Sequence, residues 1–184
     1  MIITPPSLSW TQTKLSEPMM DYLWSQIDLA KENSKPNLVG HISKSLFLPD
    51  KENKLFDLVK TEAKSIGYEL SKMEMLWVNW QKKHEFNPLH CHSGEISFVI
   101  WMKIPYNHED EKKRPQAGEV NGRTHSGCFE FVCTNQLGHL TQYQYHLSTE
   151  YEGILLVFPA SLRHQVYPFY TSDEDRISIS GNLT

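Results

Sequence analysis

The chain has 184 residues, 18 of them Lys or Arg against 22 Asp or Glu, a net charge of −4. At about 150 residues per domain this is one domain, 1–184, long enough to bury a core without staples. With 22% charged and 39% hydrophobic residues, it is neither composed like a disordered chain nor charged to attract nucleic acid or an anionic membrane.

Two helices are expected in the first third, 1–67. Ser16 reads as an N-cap with Pro18 in the first turn, and Met20, Leu23, Trp24, Ile27 and Ala30 recur at three- and four-residue steps. Asp50 reads as the cap of a second helix, with Leu55, Phe56, Val59, Ala63 and Ile66 as its apolar stripe and Gly67 at its C′ position. Together they would form a helical brace. After Gly67 the texture changes to aromatic and β-branched runs broken by Gly, Pro, Asn and Asp. Strands are expected over 76–81, 96–104, 128–134, 140–147, 153–158, 165–169 and 176–182. Regularly spaced strands without intervening helices predict a mainly β fold with flanking N-terminal helices, an antiparallel sandwich or jelly roll rather than a βαβ fold. Residues 106–127 show neither period and read as a polar loop and possible lid.

The three cysteines, Cys91, Cys128 and Cys133, are odd in number and form no C-x-x-C. That argues against a disulfide scaffold or zinc ribbon and suits a reducing cytoplasm. The first residues lack the run of a signal peptide, and no apolar stretch is long enough to span a membrane. A cytoplasmic location without membrane contact is therefore expected. Lys112-Lys113-Arg114 follows three acids, as a solvated loop does.

The nine histidines matter because histidine is the commonest metal ligand and proton shuttle near neutral pH. His90-Cys91-His92 precedes the expected strand 96–104, and in extended chain residues i and i+2 face the same side. His164 lies just beyond the apolar run and turn of 153–163. Arg176 and Ser178 share a face of the last strand, a bidentate cationic fork beside a hydroxyl. Each feature alone has an ordinary structural explanation.

In this order they resemble the 2-oxoglutarate- and Fe(II)-dependent oxygenases. Trp77-Val78-Asn79-Trp80, Asn87-Pro88-Leu89-His90-Cys91-His92-Ser93-Gly94, Phe158-Pro159-Ala160-Ser161-Leu162-Arg163-His164 and Arg176-Ile177-Ser178-Ile179-Ser180 are similar to a small branch found in marine phages and bacteria. In a phage, the cytoplasm would be the host's. The resemblance covers roughly 70–184. It implies a double-stranded β-helix (jelly roll) with Fe(II) at its mouth and 2-oxoglutarate as cosubstrate, decarboxylated to succinate as a substrate is hydroxylated. It makes His164 the distal metal ligand and Arg176, with Ser178, the partner of the far carboxylate of 2-oxoglutarate.

The family's H-x-D/E pair appears here as His90-x-His92, which leaves three accounts open. His90, His92 and His164 form an all-histidine site; or His92 is the early ligand and Gly94 leaves the carboxylate position vacant; or Glu95 reaches the metal through a bulge. Asn79, Gln81 and Trp101 are expected to line the pocket, and Cys91 to be a buried packing thiol. His41, His84, His108, His125, His139 and His146 are expected to be ordinary. Tyr143, Tyr145 and Leu147 should face one side of their strand and Gln142, Gln144 and His146 the other. The insert should cover the site and carry specificity for a small-molecule or peptide substrate, while the negative charge disfavours nucleic acid. Two other readings compete: a cupin-type three-histidine metalloprotein that does not use 2-oxoglutarate, and a metal-free jelly-roll binding module.

Overall fold

The computed structural model describes residues 7–31, 34, 39–114 and 124–184. Helix α1 (Glu17–Asp28) begins after Ser16, which sits in extended conformation, with proline in the first turn. Tyr22, Leu23, Gln26 and Ile27 are its buried face, the three- and four-residue spacing that puts side chains on one stripe; Ala30 lies beyond the helix end. Helix α2 (Lys54–Ser65) buries Leu55, Val59 and Ala63 completely. Its N-cap position is Asn53, in left-handed conformation, rather than Asp50. The Asp50 carboxylate nevertheless does the capping chemistry from further upstream. It accepts from the Leu55 and Phe56 amides at 3.3 and 2.9 Å and from the Tyr22 hydroxyl at 2.6 Å, satisfying donors that a helix start leaves free.

The strands are β1 (Thr11–Lys14), β2 (Lys44–Phe47), β3 (Met73–Gln81), β4 (Asn87–His90), β5 (Ile96–Lys103), β6 (Phe129–Thr134), β7 (Leu140–Tyr145), β8 (Ile154–Pro159), β9 (Arg163–Val166) and β10 (Arg176–Leu183). They form a six-stranded antiparallel sheet, β1-β8-β5-β10-β3-β2, and a four-stranded one, β4-β9-β6-β7. This is the expected jelly-roll class. Side-chain alternation divides the large sheet's residues between two cores. Val78, Ile100, Leu155, Val157 and Ile179 face the helices, with Leu23, Leu55 and Val59. Val99, Trp101, Leu156 and Phe158 face inward, against Phe129 and Phe131 of the small sheet.

Four short strands depart from the expected pattern. The supposed helical brace also supplies β1 and β2, the two edges of the large sheet. β4 carries Pro88 and lies at the edge of the small sheet, where a missing N–H costs no ladder bond. β9 begins at Arg163 instead of 165, because its pairing with β6 runs from Arg163 opposite Val132 to Val166 opposite Phe129.

The 106–127 stretch is not all loop. Helix α3 (His108–Lys112) is capped by the Asn107 side chain, which accepts from the Glu109 amide. Tyr106, His108, Glu111, Thr124 and Ser126 are buried. Glu111 accepts from the Tyr170 and Thr171 amides at 2.9 and 2.8 Å, and the Gly127 amide donates to the Pro168 carbonyl at 2.9 Å, so both described ends of the insert are anchored. Among the described residues no helix is long and apolar enough to cross a membrane.

Candidate metal centre and cosubstrate pocket

His90 on β4 stands directly opposite His164 on β9. His92, two residues past β4, is placed by its amide, which donates to the Ala160 carbonyl at 2.9 Å in the turn before β9. The ring centroids lie 4.3 Å (His90–His164), 4.9 Å (His90–His92) and 5.1 Å (His92–His164) apart. One ring nitrogen from each falls within 4.8 Å of the others. His164 is buried, and His90 and His92 are half-buried.

Backbone carbonyls orient two of the rings. His90 Nδ1 lies 2.7 Å from the Pro88 carbonyl and His164 Nδ1 lies 2.9 Å from that of Leu162. A carbonyl only accepts, so Nδ1 carries the hydrogen and Nε2 keeps its lone pair for a metal. Burial holds all three below the usual imidazole pKa, His92 at about 4 and His164 at about 3, with repulsion from His90 adding to both. Near neutral pH each is a neutral donor.

No carboxylate joins this cluster among the described residues. Gly94 has φ +98°, and a Cβ there would lie 2.8 Å from the Leu183 carbonyl oxygen. A side chain at 94 would therefore run into β10 rather than reach toward the histidines. Glu95 is exposed, and its backbone joins Leu183 to Ala160. What converges is three imidazoles, a donor set that suits iron, zinc, copper or nickel.

The same cavity is lined by His90, His92, His164, Asn79, Arg176 and Ser178, with Gln81 and Trp101 also on its wall. Arg176 and Ser178 project from β10 opposite Gln81 and Asn79 of β3, on the inward face. Arg176 is 2% exposed. Its Nη1 donates to the Tyr106 hydroxyl (2.5 Å) and the Gly127 carbonyl (3.2 Å), and its Nη2 to Gln81 Oε1 (2.6 Å) and the Tyr167 carbonyl (3.4 Å). All four acceptors are neutral. Among the described residues no carboxylate lies within ion-pairing distance of this guanidinium. Removing a cation from water without a countercharge costs several kcal/mol, so among the described residues the pocket wall carries an uncompensated positive charge.

Tyr106 was not foreseen. Its hydroxyl donates to the Gly127 carbonyl at 2.6 Å while accepting from Arg176, and burial pushes it up to about 12, so it stays neutral. Nothing in local sequence joins positions 106, 127 and 176. Cys91 is exposed rather than a buried packing thiol; the buried cysteine is Cys128. Of the six histidines read as ordinary, His108 is buried and meets His146 and Cys128 in a second cluster.

Comparison with known proteins bears on this arrangement. A family model described as "Putative 2OG-Fe(II) oxygenase" matches residues 75–182, which include the three histidines, Arg176 and Ser178. No curated protein matches the chain. Among solved structures, a Pseudomonas putida prolyl-4-hydroxylase aligns over 96% of this chain and 92% of its own, with TM-score 0.55 and 12% identity. An oxidoreductase of the 2OG-Fe(II) oxygenase family from Burkholderia pseudomallei aligns over 95% and 84%, with TM-score 0.57 and 12% identity. These two likenesses establish the fold, and the family match over more than half of the sequence establishes kinship: the chain belongs to the 2OG-Fe(II) oxygenase family.

Proposed function

We propose that the protein is a 2-oxoglutarate- and Fe(II)-dependent oxygenase that hydroxylates a small-molecule or peptide substrate. In this reading His90, His92 and His164 hold the metal, and Arg176 and Ser178 hold 2-oxoglutarate. The observation that carries it is the buried, uncompensated Arg176 across one cavity from three converging imidazoles. When bound, iron and 2-oxoglutarate supply the oxidation, in which cosubstrate decarboxylation to succinate is coupled to oxygen entering a C–H bond.

The chain's own residues fit this task. Neutral imidazoles bring no negative charge to the metal, so the cosubstrate anion supplies it. The guanidinium fork matches a carboxylate in geometry and charge. Its two longer contacts, at 3.2 and 3.4 Å, can be exchanged for a carboxylate oxygen with little loss. Ser178 adds a neutral hydrogen bond beside it. Trp101, Phe129 and Phe158 line the cavity and keep water from the reacting centre. The buried flanks of the insert, through Tyr106 and Gly127, hold Arg176 from behind; the centre of the expected lid, 115–123, lies outside the described residues.

The all-imidazole donor set would also serve a three-histidine metalloprotein that takes no 2-oxoglutarate, but Arg176 would then be a buried cation without a task. A metal-free binding module leaves the convergence of three neutral imidazoles unexplained. Calorimetric titration of 2-oxoglutarate into anaerobic Fe(II)-loaded and metal-free protein tests the proposal. Binding in the loaded state, strongly weakened when iron is removed, is expected. Absence of binding to the loaded protein would overturn it.

A further inference from the structure

His108, Cys128 and His146 gather on the side of the small sheet that faces away from the cavity, with ligand atoms all within 4.8 Å of one another. We propose that they form a second metal site, for a borderline divalent ion of the zinc class, that ties both ends of the 106–127 insert to the end of β7.

The sheet register brings two of them together. Phe129 pairs with Tyr145 at the end of the β6–β7 ladder, so positions 128 and 146 face each other one step beyond. They share the face of Glu130 and Gln144, not the inward face of Phe129. His108, at the start of α3, closes over the pair. Its ring lies 4.2 Å from that of His146, and Cys128 Sγ is 3.9 Å from its Nδ1. Tetrahedral zinc with one sulfur and two nitrogen ligands needs donor atoms roughly 3.4–3.6 Å apart. The Sγ–Nδ1 distance is close to that, and the exposed His146 can adjust to complete it and leaves an entry path.

A second observation points independently to a ligand. His108 is 3% exposed, and its Nε2 is buried with no hydrogen-bond partner. A buried polar atom left unpaired is uncommon and costly. Cys128 is fully buried, and its sulfur otherwise reaches only the Thr124 and Ser126 carbonyls, each at 3.7 Å. A half-turn of the imidazole presents either nitrogen to an ion. On binding, the Cys128 thiol releases its proton to solvent and ligates as thiolate, with water in the fourth position.

The site shares no residue with the first cluster, and its sulfur makes it spectroscopically distinct. It sits next to Gly127 and near Tyr106, both of which hold Arg176, so the ion would also stiffen the frame behind that guanidinium.

The test is a cobalt(II) titration of the metal-free, full-length protein. Two equivalents are expected, one of them giving a near-ultraviolet thiolate-to-cobalt charge-transfer band. Cys128→Ser should lose that band and one equivalent, while His164→Ala should keep the band and lose the other. His146→Gln, a change at an exposed position that does not threaten folding, should weaken the band-forming equivalent by roughly tenfold or more. Absence of a thiolate band in the wild type would overturn the proposal. So would a band that survives Cys128→Ser and vanishes in Cys91→Ser.

Discussion

His90 and His164 face each other across neighbouring antiparallel strands, with ring centroids 4.3 Å apart and each Nδ1 turned to the carbonyl of the residue two positions before it. The strand register fixes the spacing, and the carbonyls leave both Nε2 atoms free for a metal. His164→Ala and His90→Ala should therefore each abolish tight Fe(II) binding in equilibrium dialysis, and His92→Ala should do the same. Full affinity in His90→Ala would show that the site does not use all three imidazoles.

The backbone at Gly94 bears on the vacant-position account. Gly94→Asp should gain no metal affinity, because its side chain would meet the Leu183 carbonyl from a left-handed backbone. Strain of this kind costs about 1–3 kcal/mol, which thermal unfolding would register as a lower Tm. Tighter iron binding by this variant would instead identify position 94 as an empty ligand position.

Arg176 should separate cosubstrate binding from metal binding. A hydrogen bond to a charged group contributes about 1.5–3 kcal/mol, so Arg176→Ala should weaken 2-oxoglutarate binding roughly ten- to a hundredfold in calorimetry. Iron affinity should stay near wild type. Ser178→Ala removes a neutral bond of about 1 kcal/mol and should cost several-fold. Equal loss of iron and 2-oxoglutarate in Arg176→Ala would remove the role assigned to it.

The same residue should trade stability for function. Replacing a buried, unpaired cation with an apolar side chain of similar length relieves its desolvation. Arg176→Met is expected to raise the Tm of metal-free protein, by about 1–2 kcal/mol of stability, while 2-oxoglutarate binding is lost. A lower Tm would mean that the four neutral acceptors already offset the buried charge.

Asp50 tests the helical layer apart from the site. Asp50→Ala removes the acceptor for the Leu55 and Phe56 amides and the Tyr22 hydroxyl. A loss of about 1–2 kcal/mol is expected in denaturant unfolding, with iron affinity unchanged.

Hydrophobic periodicity made α1, α2 and most of the longer strands legible, because each buries a stripe or a face that repeats in sequence. β1, β2 and β4 were not legible. Thr11-Gln12-Thr13-Lys14 has no apolar alternation and Asn87-Pro88-Leu89-His90 contains a proline; both lie at sheet edges, where pairing comes from a neighbour rather than from local pattern. α3 was hidden in an acidic run, since only the tertiary structure reveals that Glu111 is buried against Tyr170 and Thr171. At the site, the residue types and their order pointed to His90, His92, His164, Arg176 and Ser178. Their convergence depends on register, which no local signal encodes. Tyr106 and Gly127 lie 70 and 49 residues from Arg176, too far for sequence spacing to connect them.

The central claim is that three imidazoles and Arg176 serve one metal and one 2-oxoglutarate. Anaerobic titration with Fe(II), followed by 2-oxoglutarate, while recording the visible spectrum tests it most directly. The account predicts a weak metal-to-ligand charge-transfer band that forms only when both are present and is lost in His164→Ala. Iron binding with a spectrum untouched by saturating 2-oxoglutarate would contradict it.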